Sequence, residues 1–109
     1  MNHSALFEIA RSARFDLESK SVDGRLLASL YSEFNDIPDV VGFVRRSLAQ
    51  FPRLGCGMAS VYCRHKLGAG KIVVGSYAGV RHSFLLYDRI LVDITADQFG
   101  GPPVYVRPL

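Results

Sequence analysis

The spacing of apolar residues changes from helix-like to strand-like near Gly68, and this change constrains the fold more than any other feature. Upstream, apolar residues recur every three or four positions, which predicts helices over residues 4–20, 22–34, about 39–50 and 56–67. Downstream, β-branched and aromatic runs predict strands over residues 71–77, 82–87, 90–95 and 104–106. The chain is therefore predicted to be an α+β protein, with N-terminal helices packed on a small antiparallel β-sheet.

Polar residues, glycine and proline mark the ends of these elements. The segment 35–38 interrupts the helical pattern, and Asp36 is predicted to cap the third helix. Gly68 is predicted to stop the fourth helix, because glycine adopts the left-handed conformation common at helix C-termini. Residues 88–89 are predicted to form a two-residue turn between the second and third strands.

The composition predicts one folded domain, residues 1–109. Of these, 49% are hydrophobic and 21% are charged, which leaves room for one core shared by a helical part (1–50) and a helix-plus-sheet part (51–109). The net charge is +3, but the basic residues are scattered along the chain. Because nucleic-acid-binding domains concentrate their basic residues, no nucleic-acid partner is expected. Nothing in the sequence predicts the oligomeric state.

The two cysteines are expected to be free thiols. Cys56 and Cys63 lie seven positions apart on one predicted helix, which separates their Cα atoms by about 10 Å, beyond the reach of a disulfide. Free thiols suit a reducing compartment. Met1–Ala5 lead into no apolar signal segment, and no apolar run has the length of a membrane span. We therefore expect a cytoplasmic protein, or a delivered effector without a recognisable signal, and no membrane partner.

The strand pattern predicts that a histidine and an aspartate meet on one face of the sheet. If 88–89 is a two-residue turn, Tyr87 pairs with Ile90, and side chains alternate between faces from there. His82 and Asp93 then become diagonal neighbours on the same face, about 7–8 Å apart or less between Cβ atoms. A single hydrogen bond between imidazole and carboxylate spans such a gap.

Cys56 is predicted to open the fourth helix, with Gly55 and Gly57 on either side. At a helix N-terminus the macrodipole and the free backbone N–H groups favour the thiolate, which is the nucleophilic form. The same N–H groups are oriented to stabilise an oxyanion, and the flanking glycines leave the sulfur accessible to a substrate carbonyl. A thiol, an imidazole and a carboxylate in this order are typical of thiol enzymes.

These segments together resemble a known superfamily. The stretches Gly55–Ser60, 81–85 and 90–99 are similar to small bacterial members of the transglutaminase-like part of the papain-like cysteine hydrolases. The resemblance covers about residues 51–106. It implies that Cys56 is the nucleophile, His82 the general base and acid, and Asp93 the residue that orients the imidazole. Two features depart from the pattern: Phe84 stands where many relatives have tryptophan, and only Gln50 precedes the cysteine as an oxyanion donor.

The sequence thus predicts a thiol hydrolase or acyltransferase that acts on an amide or thioester carbonyl of a protein or peptide substrate, without a cofactor. Peptidase, glutamine deamidase and transglutaminase-type reactions share the first half-reaction and stay open. The alternative is a catalytically silent protein-binding module with the same fold. A zinc site is not expected, because the spacing of the cysteines and histidines matches no known ligand pattern.

Further residues near the predicted triad are secondary candidates. Thr95 and Gln98 are expected to line the cleft, with Gly55 and Gly57 as oxyanion or substrate-binding positions. Substrate contacts are assigned to Arg81 and Tyr77, and Asp97 is a rival of Asp93 or a cap of a final helical turn.

Overall fold

A computed structural model describes residues 1–53, 55–77 and 79–109, except for the side chain of Tyr77. Within these residues, helices precede an antiparallel sheet, so the α+β prediction is confirmed. The helices are α1 (His3–Glu18), α2 (Gly24–Ser32), α3 (Val40–Gln50) and α4 (Cys56–Leu67). The strands are β1 (Lys71–Tyr77), β2 (Val80–Tyr87), β3 (Ile90–Asp93) and β4 (Tyr105–Pro108), with a 3₁₀ turn (Ala96–Phe99) after β3.

The helix ends follow local side-chain chemistry. The backbone N–H of Arg25 donates to Asp23, which caps α2, and Gly68 ends α4 with a positive φ of 80° as predicted. The prediction that Asp36 caps α3 is wrong. Asp39 has that role and accepts from the backbone N–H of Gly42 over 3.2 Å, because it directly precedes the first helical residue whereas Asp36 lies three positions further upstream.

The core lies where α1, α4 and the sheet meet. α1 contributes one stripe of buried residues at helical spacing (Leu6, Ala10, Ala13 and Leu17). α4 is buried on nearly all sides over Met58–Cys63, because α1, α2 and the sheet surround it. Leu85 and Val92 close this core from the sheet. Among the described residues, no helix combines the length and apolar character that a membrane crossing requires.

The four strands are neighbours in chain order, β1-β2-β3-β4, and all pairs are antiparallel. Tyr87 pairs with Ile90 across the predicted two-residue turn. From this register, Leu85 and Val92 face the helices, while His82 and Asp93 lie on the opposite face. β3 ends at Asp93, two residues earlier than predicted, because Thr95 is already the cap residue of the 3₁₀ turn.

A polar contact joins α1 to α4 beside this core. The hydroxyl of Tyr62 donates to Asp16 Oδ2 over 2.6 Å, and Lys66 Nζ donates to the same oxygen over 3.0 Å. The hydrogen bond from Tyr62, followed by the contact with Lys66, lowers the pKa of Asp16, although partial burial opposes this. Burial, followed by the hydrogen bond to Asp16, raises the pKa of Tyr62. The carboxylate of Asp16 therefore stabilises the packing of the two helices.

This contact predicts an acid-sensitive contribution to stability. The folded-state pKa of Asp16 lies below its unfolded value of about 3.9, so its stabilisation is complete above about pH 5 and is lost as the pH falls. We expect Asp16→Asn to lower the free energy of unfolding by about 1 kcal/mol at pH 7, with a smaller deficit at pH 3. Urea unfolding at both values measures this. Glu33→Gln, at an exposed carboxylate, is the control, and equal deficits at both pH values contradict the prediction.

Candidate active site

A buried hydrogen bond joins His82 on β2 to Asp93 at the end of β3. His82 Nε2 donates to Asp93 Oδ2 over 2.7 Å, and the two side chains are only 8% and 10% exposed. The register of the β2–β3 hairpin places the two side chains on one face, as the sequence pattern requires. Since a carboxylate only accepts, the bond assigns a proton to Nε2 of the imidazole.

Asp93 is itself held by the residue that follows the strand. Its Oδ1 accepts from the backbone N–H of Thr95 over 2.9 Å and from the Thr95 hydroxyl over 3.3 Å. Both carboxylate oxygens therefore have donors, which is what a buried carboxylate needs to remain stable inside a protein. This arrangement fixes the direction in which Asp93 presents Oδ2 to the imidazole.

The second ring nitrogen of His82 has no partner. His82 Nδ1 is buried and makes no hydrogen bond within the described residues. With Nε2 protonated by its contact to Asp93, a neutral imidazole carries an unused acceptor lone pair at Nδ1. A buried polar atom without a partner is rare in folded proteins and marks sites that act on a proton or a ligand.

Cys56 is the first residue of α4 and is half-buried. The cap residue is Gly55, and within the described residues no side chain caps the N–H groups of this helix end. The Ser60 hydroxyl donates to the Cys56 carbonyl over 2.8 Å, which anchors the first turn from the other side. The thiol thus lies at a helix N-terminus whose first N–H groups are free to bind an anion.

Cys56 and His82 line the same cavity, which we call the thiol cavity. It has a volume of about 530 Å³. Its lining is Pro52, Arg53, Cys56, Val80, Arg81, His82, Asp97, Gln98 and Phe99. No hydrogen bond links the Cys56 thiol to His82 Nδ1. The structure therefore joins the imidazole to the carboxylate directly, and brings the thiol to the same cavity without joining it to the ring.

A second cavity of about 560 Å³ lies over the face of the sheet that points away from the helices, and we call it the sheet-face cavity. Most of its wall is apolar or aromatic, including Phe84, Leu91, Phe99 and Tyr105. His82 and Phe99 line both cavities. Their rings meet edge to face, with centroids 4.8 Å apart, so Phe99 packs the imidazole at the boundary between the two spaces.

The secondary candidates divide into two groups. Gln98 and Arg81 line the thiol cavity, as predicted for residues near the cleft. Thr95 is almost fully buried and lies outside the lining of either cavity, because both of its donors bind Asp93. Gln50 is exposed at the end of α3 and is not part of either lining. The prediction for Tyr77 concerns a side chain outside the described residues.

Gly55 and Gly57 were expected to leave the sulfur accessible, but both lie against aromatic rings. A Cβ added to Gly55 would lie 3.1 Å from the Phe51 ring, and one added to Gly57 would lie 3.4 Å from the Tyr31 ring. Neither residue lines the thiol cavity. Their small size thus lets aromatic rings pack close to the backbone on either side of Cys56. The Gly55 N–H donates to the Pro52 carbonyl over 3.4 Å, which leaves the N–H groups of Cys56 and Gly57 as the donors of the first turn.

Arg14 supports the site and was not predicted from the sequence. Its guanidinium donates to both oxygens of Asp97, each over 2.8 Å, and to the Ile94 carbonyl over 2.9 Å. It also stacks on the Phe51 ring at 4.9 Å. Asp97 is therefore the partner of Arg14, rather than a rival of Asp93 or a helix cap. The sequence feature that could have revealed this role is the position of Arg14 next to Ala13 in the buried stripe of α1, because a buried charge requires a partner.

Burial and nearby charges shift the pKa values of Tyr31 and Cys63. Burial, followed by the charge of a Cys56 thiolate, raises the pKa of Tyr31, while the charge of Arg81 acts in the opposite direction. Burial, followed by the charge of Asp93, raises the pKa of Cys63 to about 12. Cys63 therefore remains a neutral thiol in the core. Among the described residues, no three His, Cys, Asp or Glu side chains form a group able to hold a metal ion.

The chain matches no protein-family model, and comparisons with curated proteins and with solved structures find no significant match.

The buried pair predicts a large effect of removing the carboxylate. We expect Asp93→Ala to lower the free energy of unfolding by about 2 kcal/mol or more, because it leaves the Nε2 proton of His82 buried without an acceptor. Chemical denaturation at pH 7 measures the effect. Asp36→Ala, at an exposed carboxylate, is the matched control. An Asp93→Ala deficit no larger than that of the control contradicts the described hydrogen bond.

Proposed function

We propose that the protein is a thiol hydrolase or acyltransferase that acts on an amide or thioester carbonyl through Cys56, His82 and Asp93. The observation that carries this proposal is that His82, whose buried Nδ1 makes no hydrogen bond within the described residues, lines the same cavity as Cys56. A base that is oriented through one nitrogen and free at the other is suited to accept the thiol proton.

The proposed reaction begins with proton transfer from the Cys56 thiol to His82 Nδ1. The resulting thiolate attacks the substrate carbonyl carbon, and the imidazolium is stabilised by the Asp93 carboxylate at Nε2. The tetrahedral intermediate collapses when the imidazolium donates its Nδ1 proton to the leaving nitrogen or sulfur. An acyl group then remains on Cys56 as a thioester, and the leaving group departs as an amine or a thiol.

The second half-reaction uses the same base. His82 Nδ1 accepts a proton from water or from an amine, which attacks the thioester carbonyl and releases Cys56 as the leaving group. Water completes a peptidase or glutamine deamidase reaction, whereas an amine completes a transglutaminase-type transfer. The three outcomes require the same residues, so the accepted nucleophile distinguishes them.

The oxyanion is assigned to donors close to the thiol. The backbone N–H groups of Cys56 and Gly57 belong to the uncapped first turn of α4. Gln98 lines the same cavity, and within the described residues its amide makes one long hydrogen bond, to the Thr95 carbonyl over 3.4 Å. A donor of this kind contributes about 3 kcal/mol to the transition state where it has been removed by mutation. Gln98 is thus assigned the oxyanion role in place of Gln50, which lies outside the lining of the cavity.

The proposed substrate is a peptide or protein, and the proposed compartment is reducing. The thiol cavity and the sheet-face cavity share His82 and Phe99 as lining residues, which offers one recess on either side of these two rings for the groups that flank a scissile bond. Both cysteines are free, as a reducing environment such as the cytoplasm maintains them.

A catalytically silent protein-binding module is the second candidate. The absence of a hydrogen bond between Cys56 and His82 Nδ1 favours it, as does the packing of Phe51 and Tyr31 behind the two glycines. A binding module would use the same two cavities, but its thiol would have the reactivity of an ordinary cysteine.

Alkylation by iodoacetamide at pH 7 separates the two candidates. For the enzyme, we expect Cys56 to react about tenfold faster than glutathione, because the imidazole accepts the thiol proton. His82→Ala should reduce the rate to that of glutathione, whereas His65→Ala, at an exposed position on α4, should not change it. Mass spectrometry of tryptic peptides assigns the adduct to Cys56, since Cys63 is buried. A wild-type rate equal to that of glutathione, or an unchanged rate in His82→Ala, supports the binding module.

A further inference from the structure

Two arginines line the thiol cavity. Arg53 precedes α4 and Arg81 lies on β2 next to His82, and both are exposed in the lining that contains Cys56. Within the described part of the chain, neither side chain takes part in a hydrogen bond or an ion pair. Guanidinium groups in this state are available to a ligand and offer paired N–H donors that match a carboxylate.

Asp97 is the acidic residue in the described lining, and both of its oxygens already accept from Arg14. Its charge is therefore balanced by Arg14. Among the described lining residues, no carboxylate remains to pair with Arg53 or Arg81.

Two further features of the same cavity favour an anion. The uncapped N-terminus of α4 directs its N–H groups and the positive end of its dipole toward the region of Cys56. The imidazole of His82, on a side chain more than nine-tenths buried, lies in the same lining, and once Nδ1 has accepted the thiol proton the ring carries a positive charge and an N–H donor there. The electrostatic influence of Cys56 and Arg81 on Tyr31 places both groups close to one phenol.

We infer that the thiol cavity binds an acyl substrate that carries a carboxylate close to the scissile carbonyl, and that Arg53 and Arg81 are the residues that bind this carboxylate. The inference rests on the proposed function in one respect, namely that Cys56 attacks the carbonyl of the scissile bond. It narrows the substrate class to acidic acyl groups, such as an aspartyl or glutamyl residue on the acyl side of the bond.

The first test measures the charge preference of the thiol without any turnover. Iodoacetate and iodoacetamide alkylate the same sulfur, but iodoacetate carries a carboxylate where iodoacetamide carries a carboxamide. We expect the rate constant for iodoacetate divided by that for iodoacetamide to be larger at Cys56 than for glutathione. This ratio should fall about fivefold in Arg81→Gln and in Arg53→Gln. Arg45→Gln, at an exposed arginine on α3 outside both cavities, should leave the ratio unchanged. One molar salt should lower the wild-type ratio.

The outcomes distinguish the inference from the proposed function. A wild-type ratio equal to that of glutathione, or one that both cavity variants leave unchanged, overturns the charge preference even if Cys56 is highly reactive. Conversely, a thiol of ordinary reactivity that still prefers iodoacetate overturns the enzymatic role and retains the anion site. Circular dichroism verifies that each variant is folded.

A second test applies to the reaction. The p-nitroanilides of acetyl-aspartate and acetyl-asparagine form a pair that differs in charge and hardly in shape. We expect kcat/KM to favour the aspartyl compound by about fivefold or more in the wild type, and the preference to disappear in Arg81→Gln. A preference for the asparaginyl compound, or equal values for the two compounds, overturns the assignment.

Discussion

The buried guanidinium of Arg14 is the interaction on which the site depends. A charge in the packed stripe of α1 is stable only if its donors find partners, and Arg14 finds them in Glu18 of its own helix and in the segment that follows β3. It donates to Asp97 and to the carbonyls of Ile94 and Pro103. Phe99, which separates the two cavities, belongs to this segment. The N-terminal helix, which the resemblance to cysteine hydrolases does not cover, therefore holds the wall of the candidate active site in place.

The site itself is a buried polar cluster whose hydrogen bonds are incomplete. Burying an imidazole and a carboxylate is unfavourable unless their polar atoms are paired, and the backbone and hydroxyl of Thr95 complete the pairing of Asp93. One atom, Nδ1 of His82, remains outside this network. The fold thus leaves one buried acceptor without a hydrogen bond among the described residues, on a side chain that lines the cavity of the thiol.

The sequence predicted the helices and strands well where one spacing of apolar residues, helical or strand-like, dominates. It predicted the roles of single residues less well where two side chains could have the same role. The bounds of α4 and the two-residue turn between β2 and β3 follow from periodicity and turn chemistry, and the placement of His82 beside Asp93 follows from strand parity. Asp36 and Asp39 are equally good caps by composition, so only the backbone geometry decides between them. The role of Arg14 depends on a partner 83 positions away, which no local pattern reveals.

The two cysteines of α4 differ in their surroundings because of their positions along the helix. Cys63 lies two turns into the helix, where burial and the nearby Asp93 charge raise its pKa to about 12 and keep it neutral. Cys56 lies at the N-terminal end, half-exposed, in a cavity whose lining includes Arg53, Arg81 and His82. The proposed nucleophile is therefore Cys56, because of the two cysteines it is the one that combines access with an imidazole in the same cavity lining.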